Sequence, residues 1–386
     1  MMDFSFSDEQ LKFRRTVDDF ARRELNPNTS HPTEPGAFPR DLWQKCAGFG
    51  ILGLPIPEAY GGGDADGLTT TLAMEALGHG CRDQGFLFSI HAHMWAVEMP
   101  IVRFGTDAQK TRYLPRLADG SWVAAHGMSE PDSGSDAFAL ATTAERRGDK
   151  YVLNGTKTFV TNAPVADLFL AFATVDRKKG LWGVTGFLIE RTAKGLSIGK
   201  PIEKMGLTTS PMAEMIFEDC EIPAENILGR EGQGAAIFNH SMGWERSCIL
   251  ASTVGAMERQ LETCIEYAKT RRQFGKPIGT FQLVASKIVD MKVRLETSRL
   301  LLYRAAWAQT QGGMSSLEAA MAKLYISESA VASALDAIQV HGGYGYMKEF
   351  ELERDLRDMI GGRLYSGTSE IQRLIVARDL GLGTAG

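Results

Sequence analysis

Glu245 and Arg246, in the run "GWERSCI", are the only formally charged residues between Glu231 and Glu258. On a helix Glu245 has Ser241, Met242, Cys248 and Ile249 three and four residues away, so an ion pair along one helix face is not open to it. A carboxylate held in apolar surroundings has a raised pKa, which suits it to act as a general base near neutral pH. The competing reading is a buried salt bridge with a distant Arg or Lys. A second group lies in "GMSEPDSGSD", Gly127 to Asp136. Ser129, Ser133 and Ser135, with the backbone N–H groups of a Pro/Gly turn, can hold a phosphate or the polar edge of a ring. An ordinary Asx/Ser turn would use the same residues. Further on, "GTKTFVTN" sets Thr161 at a strand end beside Phe159, and "RRQFGKPIGTFQ" sets a cation and an aromatic at a helix–helix corner. "QVHGGYGYMKE" and "LYSGTSEIQR" add Gly-rich joints between helices.

Several more familiar chemistries are disfavoured. "GFGILG", Gly48 to Gly53, fits the spelling GxGxxG, but a helix precedes it and "LPIPEAYGGG" follows. The dinucleotide site needs a strand before the glycines and a helix N-terminus after them, so these glycines read as a helix end. His91 and His93 are two residues apart, their rings diverge on a helix, and no matching Cys/His/Asp cluster accompanies them. They read as packing or pocket lining, and no metal site is expected. Neither a GxSxG elbow nor a GxxxxGKS/T loop occurs.

The elements that must position these residues fall into three segments. The chain has 386 residues, 44% hydrophobic and 23% charged, with net charge −5. That is the profile of a globular protein with a sizeable core, and it argues against a nucleic-acid partner. The acidic "MMDFSFSDEQ" lacks the features of a signal peptide, and there is no uncharged apolar run long enough for a membrane span. Five cysteines without CxxC spacing read as reduced, mostly buried thiols, and the expected location is cytoplasmic. Residues 1–120 are read as helical: Ser7 and Gln10 form a capping box, and helices are predicted over Pro39–Gly48, Leu68–Gly80 and Asp107–Ala118. Residues 121–231 show the short alternating runs of a small antiparallel β domain. Residues 232–386 return to long helical patterns at 234–272, 280–311, 315–340, 347–360 and 368–380, as in an antiparallel bundle, with a frayed tail.

From end to end the chain resembles the acyl-CoA dehydrogenase superfamily. The resemblance is carried by "MSEPDSGSD", "NGTKTFVTN", "RRQFGKPIG" followed by "FQ", "QVHGGYGY" and "YSGTSEIQRLIVAR", in that order. It implies a mainly α fold: an N-terminal helical domain, a middle β domain and a C-terminal four-helix bundle. It also implies FAD and a homotetramer arranged as a dimer of dimers. Met128 and Ser129 would contact the flavin ring, and Ser135 would lie near the pyrophosphate or the substrate's pantetheine. Phe159 would pack on the isoalloxazine, with Thr161 near N5. Arg271, Phe274 and Gln282 would reach the cofactor across a dimer interface. Gln339 and Gly343 would hold the ADP half from a neighbouring subunit, and Thr368 and Glu370 would close on FAD.

The chain departs from the family pattern at one position. Many members carry the catalytic base as a Glu just before the Gly-Thr of the last motif, where this chain has Ser366. A serine cannot remove the α-proton of a thioester. The isovaleryl and long-chain branches take the base from the first bundle helix, just before an Arg, and that position is Glu245 here. The resemblance therefore implies that Glu245 abstracts the α-proton while the β-hydrogen leaves as hydride to flavin N5. Trp244, Arg246, Ser366 and Gly367 would face the substrate, in a cavity restricted by His93, Met94, Trp95 and Trp244.

"SMGWERSCI", "MERQLETCIEYAKTRRQFGKPIG" and "ETSRLLLYRAAWAQTQG" are similar to the flavoproteins of secondary metabolism that oxidise aminoacyl groups, notably proline, on carrier proteins. Where CoA-using relatives have Asp-x-x-Arg, this chain has Gly243 and Arg246, which removes one contact to a nucleotide-bearing substrate. A short- or branched-chain acyl-CoA dehydrogenase is the alternative, and a non-oxidising flavoprotein scaffold or a flavin monooxygenase of the same fold are further ones. The electron acceptor, electron-transfer flavoprotein or O₂, is left open.

Overall fold

The computed structural model describes residues 6–26, 37–310 and 316–383. Six helices open the chain: α1 (Asp8–Glu24), α2 (Arg40–Phe49), α3 (Gly67–Gly80), α4 (Gln84–His93), α5 (Met99–Phe104) and α6 (Asp107–Ala118). The Ser7–Gln10 capping box forms as expected, satisfying two of the orphan donors at the start of α1. Gly50 ends α2 in the left-handed conformation, so the glycines of "GFGILG" do close a helix. His91 and His93 read as helical, but the α4–α5 region carries no expected bounds. From Gln84 to Ile101 it is buried all round and so has no amphipathic stripe to detect, and a π-helical turn at Met94–Glu98 shifts its period.

The middle segment is an eight-stranded sheet of β1 (Ala124–Gly127), β2 (Thr143–Arg147), β3 (Lys150–Thr161), β4 (Leu168–Thr174), β5 (Val184–Glu190), β6 (Leu196–Ile198), β7 (Met212–Pro223) and β8 (Ile227–Leu228). Its path runs β6-β7-β3-β2-β4-β5-β8, with β1 paired to β4 off that path. The expected antiparallel pairing holds for most of this sheet but not for all of it. β1 lies parallel to β4 from Ala124↔Leu168 to Gly127↔Ala171, and β2 meets β4 in parallel at Thr143↔Thr174. β1 is followed by the serine-rich loop rather than a tight turn, so nothing constrains its next neighbour to be antiparallel. β3 carries a register shift between Lys157 and Val160, and within it Phe159 has φ 56°. This bulge leaves the Phe159 ring 64% exposed to the space beside the sheet.

The last segment comprises α7 (Gly234–Cys248), α8 (Ala251–Thr270), a short hairpin β9–β10 (Arg272–Gln273, Lys276–Pro277), α9 (Gln282–Thr310), α10 (Ser316–His341), α11 (Leu352–Gly361) and α12 (Ser369–Asp379). The single helix predicted over 234–272 is two, interrupted at Ile249–Leu250 just beyond Glu245. The link between α9 and α10, and the end of the expected frayed tail, lie outside the described residues. Helices from the first and last segments share one core: α3 packs on α8 and α9, α4 on α8, with α1 behind α3 and α10 behind α8 and α9. Gly78 of α3 and Gly255 of α8 let two backbones touch: a Cβ on Gly78 would fall 2.0 Å from the Ser252 carbonyl oxygen, and one on Gly255 would fall 2.0 Å from that of Glu75. All five cysteines are free and buried, and no helix among the described residues is long and apolar enough to cross a membrane.

Candidate active site

A cavity of about 630 Å³ opens where the sheet meets α4, α7, α11 and the loop before α12. α7 sets its floor, because Phe238, Met242, Glu245 and Ile249 recur at helical spacing and all line it. β1 and its following loop bring Met128, Ser129 and Ser135, the β3 bulge brings Phe159 and Thr161, and the loop before α12 brings Ser366, Gly367 and Thr368. Arg246 completes the expected set that gathers here.

The Glu245 side chain is buried, and the Ser366 hydroxyl donates to its Oε2. Burial pushes its pKa up to about 7, against the opposing pull of the Ser366 hydrogen bond and the nearby Arg246 charge. Arg246 does not pair with Glu245; its Nε donates to the Ser366 carbonyl at 3.1 Å. Two further donors hold the same loop. Lys323 Nζ reaches the Gly367 carbonyl at 2.7 Å, and Gln372 Nε2 reaches the carbonyls of Ser366 (3.2 Å) and Gly367 (2.8 Å). Ser366 adopts φ 53° and Gly367 φ 89°, a left-handed pair that these three side chains fasten in place. Burial lowers the Lys323 pKa to about 7. Sequence reading passed over Lys323, since a single Lys on a long helix carries no signal that it is buried.

The loop after β1 is held from beneath by a buried ion pair. Lys157 Nζ lies 2.6 Å from Glu130 Oε1 and 3.2 Å from the Met128 carbonyl. Glu130 also accepts from the backbone N–H groups of Ala141 (2.5 Å) and Thr142 (3.1 Å). Desolvation lowers the Lys157 pKa to about 8, whereas Glu130 is held below the usual carboxylate range by Lys157 and these donors, despite desolvation acting the other way. One pair thus fixes both Met128–Ser129 and the strand that presents Phe159.

The expected restriction by His93, Met94, Trp95 and Trp244 is not what the fold provides. Trp244 stacks on Trp95 with ring centroids 5.5 Å apart and packs over Gly67, away from the cavity. The neighbours of Glu245 on α7 point about 100° to either side of it, which turns Trp244 into the helical core. His91 and His93 are packing residues: His91 Nδ1 accepts from Trp95 Nε1 at 2.8 Å, and His93 Nδ1 accepts from the Ala124 N–H at 2.9 Å. The inner wall comes instead from Phe88, Ala92 and Ala96. His126 also lines the cavity, and desolvation lowers its pKa to about 4, so it is neutral. Its signal was available, since it lies two residues before Met128, on the same side of an extended chain. Among the described residues no His/Cys/Asp/Glu cluster is placed to hold a metal.

The remaining expected cofactor contacts lie elsewhere on the chain. Arg271, Phe274, Gln339 and Gly343 line a separate open cleft of about 690 Å³ between the β9–β10 corner and the end of α10. Gln282 and Glu370 are exposed and line neither space. Gln282 opens α9 beside that cleft, and Glu370 lies in the first turn of α12 beside the cavity, after its N-cap Thr368.

The cavity and its residues suit a planar flavin: the exposed Phe159 ring offers a face, and the hydroxyls of Ser129 and Thr161 offer hydrogen bonds to a ring edge. The comparisons agree. Residues 7–121, 125–220 and 232–381 match the acyl-CoA dehydrogenase N-terminal, middle and C-terminal domains. The chain is 44% identical over 382 residues to an L-prolyl-(peptidyl-carrier protein) dehydrogenase of Pseudomonas fluorescens, covering 99% of this chain and 100% of that one. A prolyl acyl carrier protein oxidase, AnaB, matches with TM-score 0.96 and 51% identity, covering 98% of this chain and 100% of that chain. PigA with FAD and proline matches with TM-score 0.96 and 44% identity, over 99% of this chain and 100% of that one. The chain belongs to the acyl-CoA dehydrogenase family and is a flavin-dependent oxidoreductase acting on CH–CH bonds.

Proposed function

We propose that this protein dehydrogenates an aminoacyl thioester, L-prolyl in the first instance, carried on the phosphopantetheine arm of a carrier protein. The observation that carries the reading is the buried Glu245 carboxylate, hydrogen-bonded by the serine that stands in the usual base position, with its pKa near 7. The names of the relatives supply the substrate class. FAD is the cofactor, held by Met128, Ser129, Phe159 and Thr161, and it supplies the acceptor for the β-hydrogen leaving as hydride.

The ionised Glu245 takes the α-proton. Ser366 holds the carboxylate oriented, and Arg246, Lys323 and Gln372 hold the Ser366–Gly367 backbone at the carboxylate's side. The apolar wall of Phe88, Ala92 and Ala96 keeps water from the reacting carbons. Arg271, Phe274, Gln339 and Gly343, facing outward in the open cleft, complete the cofactor site of a second copy in a homotetramer. The buried, reduced cysteines support a cytoplasmic location. Electrons leave to an electron-transfer flavoprotein or to O₂.

The test is anaerobic flavin reduction by an L-prolyl-loaded carrier domain and by a panel of short- and branched-chain acyl-CoA thioesters. Bleaching is expected with the carrier-bound prolyl group, and a 10²–10⁴-fold loss of rate, with FAD retained, in Glu245→Gln. Bleaching only with CoA thioesters would favour the acyl-CoA alternative. Survival of reduction in Glu245→Gln but not in Ser366→Ala would remove Glu245 from its role.

A further inference from the structure

The connection between β4 and β5 runs "DRKKGLWG", Asp176 to Gly183. Arg177, Lys178 and Lys179 are all exposed, Leu181 is 43% exposed, and Trp182 is 73% exposed. An indole left that open to water, beside three cations, resembles the centre of an interface more than an ordinary loop. Lys179 has only a long 3.7 Å contact to Asp176. The tip is nevertheless well anchored. Arg177 Nη2 donates to the Ala141 carbonyl at 2.7 Å, tying it to the loop that carries Ser135. Its other side packs on the start of α7, where a Cβ on Gly232 would come 2.6 Å from the Trp182 carbonyl oxygen. Gly234, the first residue of α7, lies so close to Val184 that a Cβ would come 2.7 Å from that carbonyl.

The position matters because α7 also carries Glu245. From Gly234 to Glu245 the helix rises about 16 Å at about 1.5 Å per residue. A phosphopantetheine arm, from thioester sulfur to phosphorus, spans about 15 Å when extended, by ordinary chain dimensions. An arm with its thioester at Glu245, laid along Met242 and Phe238, is therefore long enough to bring its phosphate to the level of the β4–β5 tip. What it ends in is a phosphodiester anion joined to a protein.

Building on the carrier-bound reading above, we propose that the segment Arg177–Trp182 is the docking surface for the carrier domain. Lys178 and Lys179 face the phosphodiester, and Trp182 and Leu181 meet the protein that carries it. The exposed Arg230, two residues before Gly232, extends the same positive field. Cations at the edge of an interface chiefly steer association, so their loss acts on binding and its salt dependence and leaves the chemical step alone.

The experiment compares two substrates on the FAD-loaded enzyme: an L-prolyl-loaded carrier domain, and the diffusible L-prolyl-pantetheine thioester, which has the arm but neither phosphate nor protein. Lys178→Glu/Lys179→Glu and, separately, Trp182→Ala should each raise KM for the carrier-bound substrate, the double variant by about tenfold at low salt. Limiting rates of flavin reduction, and KM for the pantetheine thioester, should stay at wild-type values. The double variant should also lose most of the salt dependence of the wild-type KM. Unchanged KM for the carrier-bound substrate in both variants, or parallel changes for both substrates, would overturn the assignment. A wild-type enzyme that no carrier-bound thioester reduces would instead remove the underlying function, and this surface with it.

Discussion

Burial and one hydroxyl set the working range of Glu245. Desolvation raises its pKa to about 7, and the Ser366 hydrogen bond pulls in the opposite direction by favouring the ionised form. In its proposed role as base Glu245 must be ionised, so the acid limb of kcat/KM should have its midpoint near pH 7. Ser366→Ala removes the hydrogen bond, so the folded pKa rises and the limb should move to higher pH. The maximal rate at high pH should change less than the rate at pH 7. Alanine and serine pay the same backbone strain at φ 53°, so the comparison isolates the hydroxyl. A pH profile of the two proteins side by side decides the matter, and a limb that stays in place or moves to lower pH would contradict this role for Ser366.

At the scale of elements, the cavity depends on how strands and helices are fastened where hydrogen-bond ladders fail. The β3 bulge exposes Phe159, and the Lys157–Glu130 pair stitches that bulge to the loop after β1. Both side chains are buried, so removing one leaves the other charge without its partner. Lys157→Met should therefore cost about 3–5 kcal/mol. It should also loosen FAD, because the Met128 carbonyl loses the donor that fixes it. Thermal unfolding in the presence of FAD, together with flavin retention on gel filtration, would test this; an unchanged melting temperature with normal flavin content would show the pair to be dispensable. The sequence signalled little of this arrangement. "GTKTF" reads as a strand whichever way the lysine points, and "SEPD" reads as a turn. Their meeting depends on β1 lying parallel to β4, which no local pattern encodes.

For the whole molecule, the residues expected to hold the cofactor fall on two separate surfaces of the described chain. Met128, Ser129, Phe159 and Thr161 line the cavity, whereas Arg271, Phe274, Gln339 and Gly343 line the outer cleft. Phe274 is 92% exposed at the tip of the β9–β10 hairpin, and Arg271 lies 5.4 Å from the centroid of Tyr344. Such a residue is costly to leave in water, and a second copy of the chain would cover it. Phe274→Ala should shift the enzyme toward smaller oligomers and lower its FAD content, while leaving the secondary structure unchanged. Light scattering and flavin absorbance measure both, and unchanged values for the two would argue against this assembly.

What the sequence by itself determined is chiefly what local chemistry determines. Helix caps, the helical–β–helical order and the lack of any cation three or four residues from Glu245 all follow from spacing. The missing carboxylate at Ser366 became visible from motif order along the whole chain, because a serine cannot serve as the base. Tertiary structure decided the rest. It turned Trp244 into the core and put Phe88, Ala92 and Ala96 on the cavity wall in its place. It broke the long helix after Glu245, and it buried Lys323 and Lys157 where they hold loop carbonyls. The physical reason is that side-chain direction on a helix follows from its 3.6-residue period, but which face becomes a cavity depends on which elements pack against it. Here that is set by strands and helices more than a hundred residues away, whose pairing no local spacing specifies.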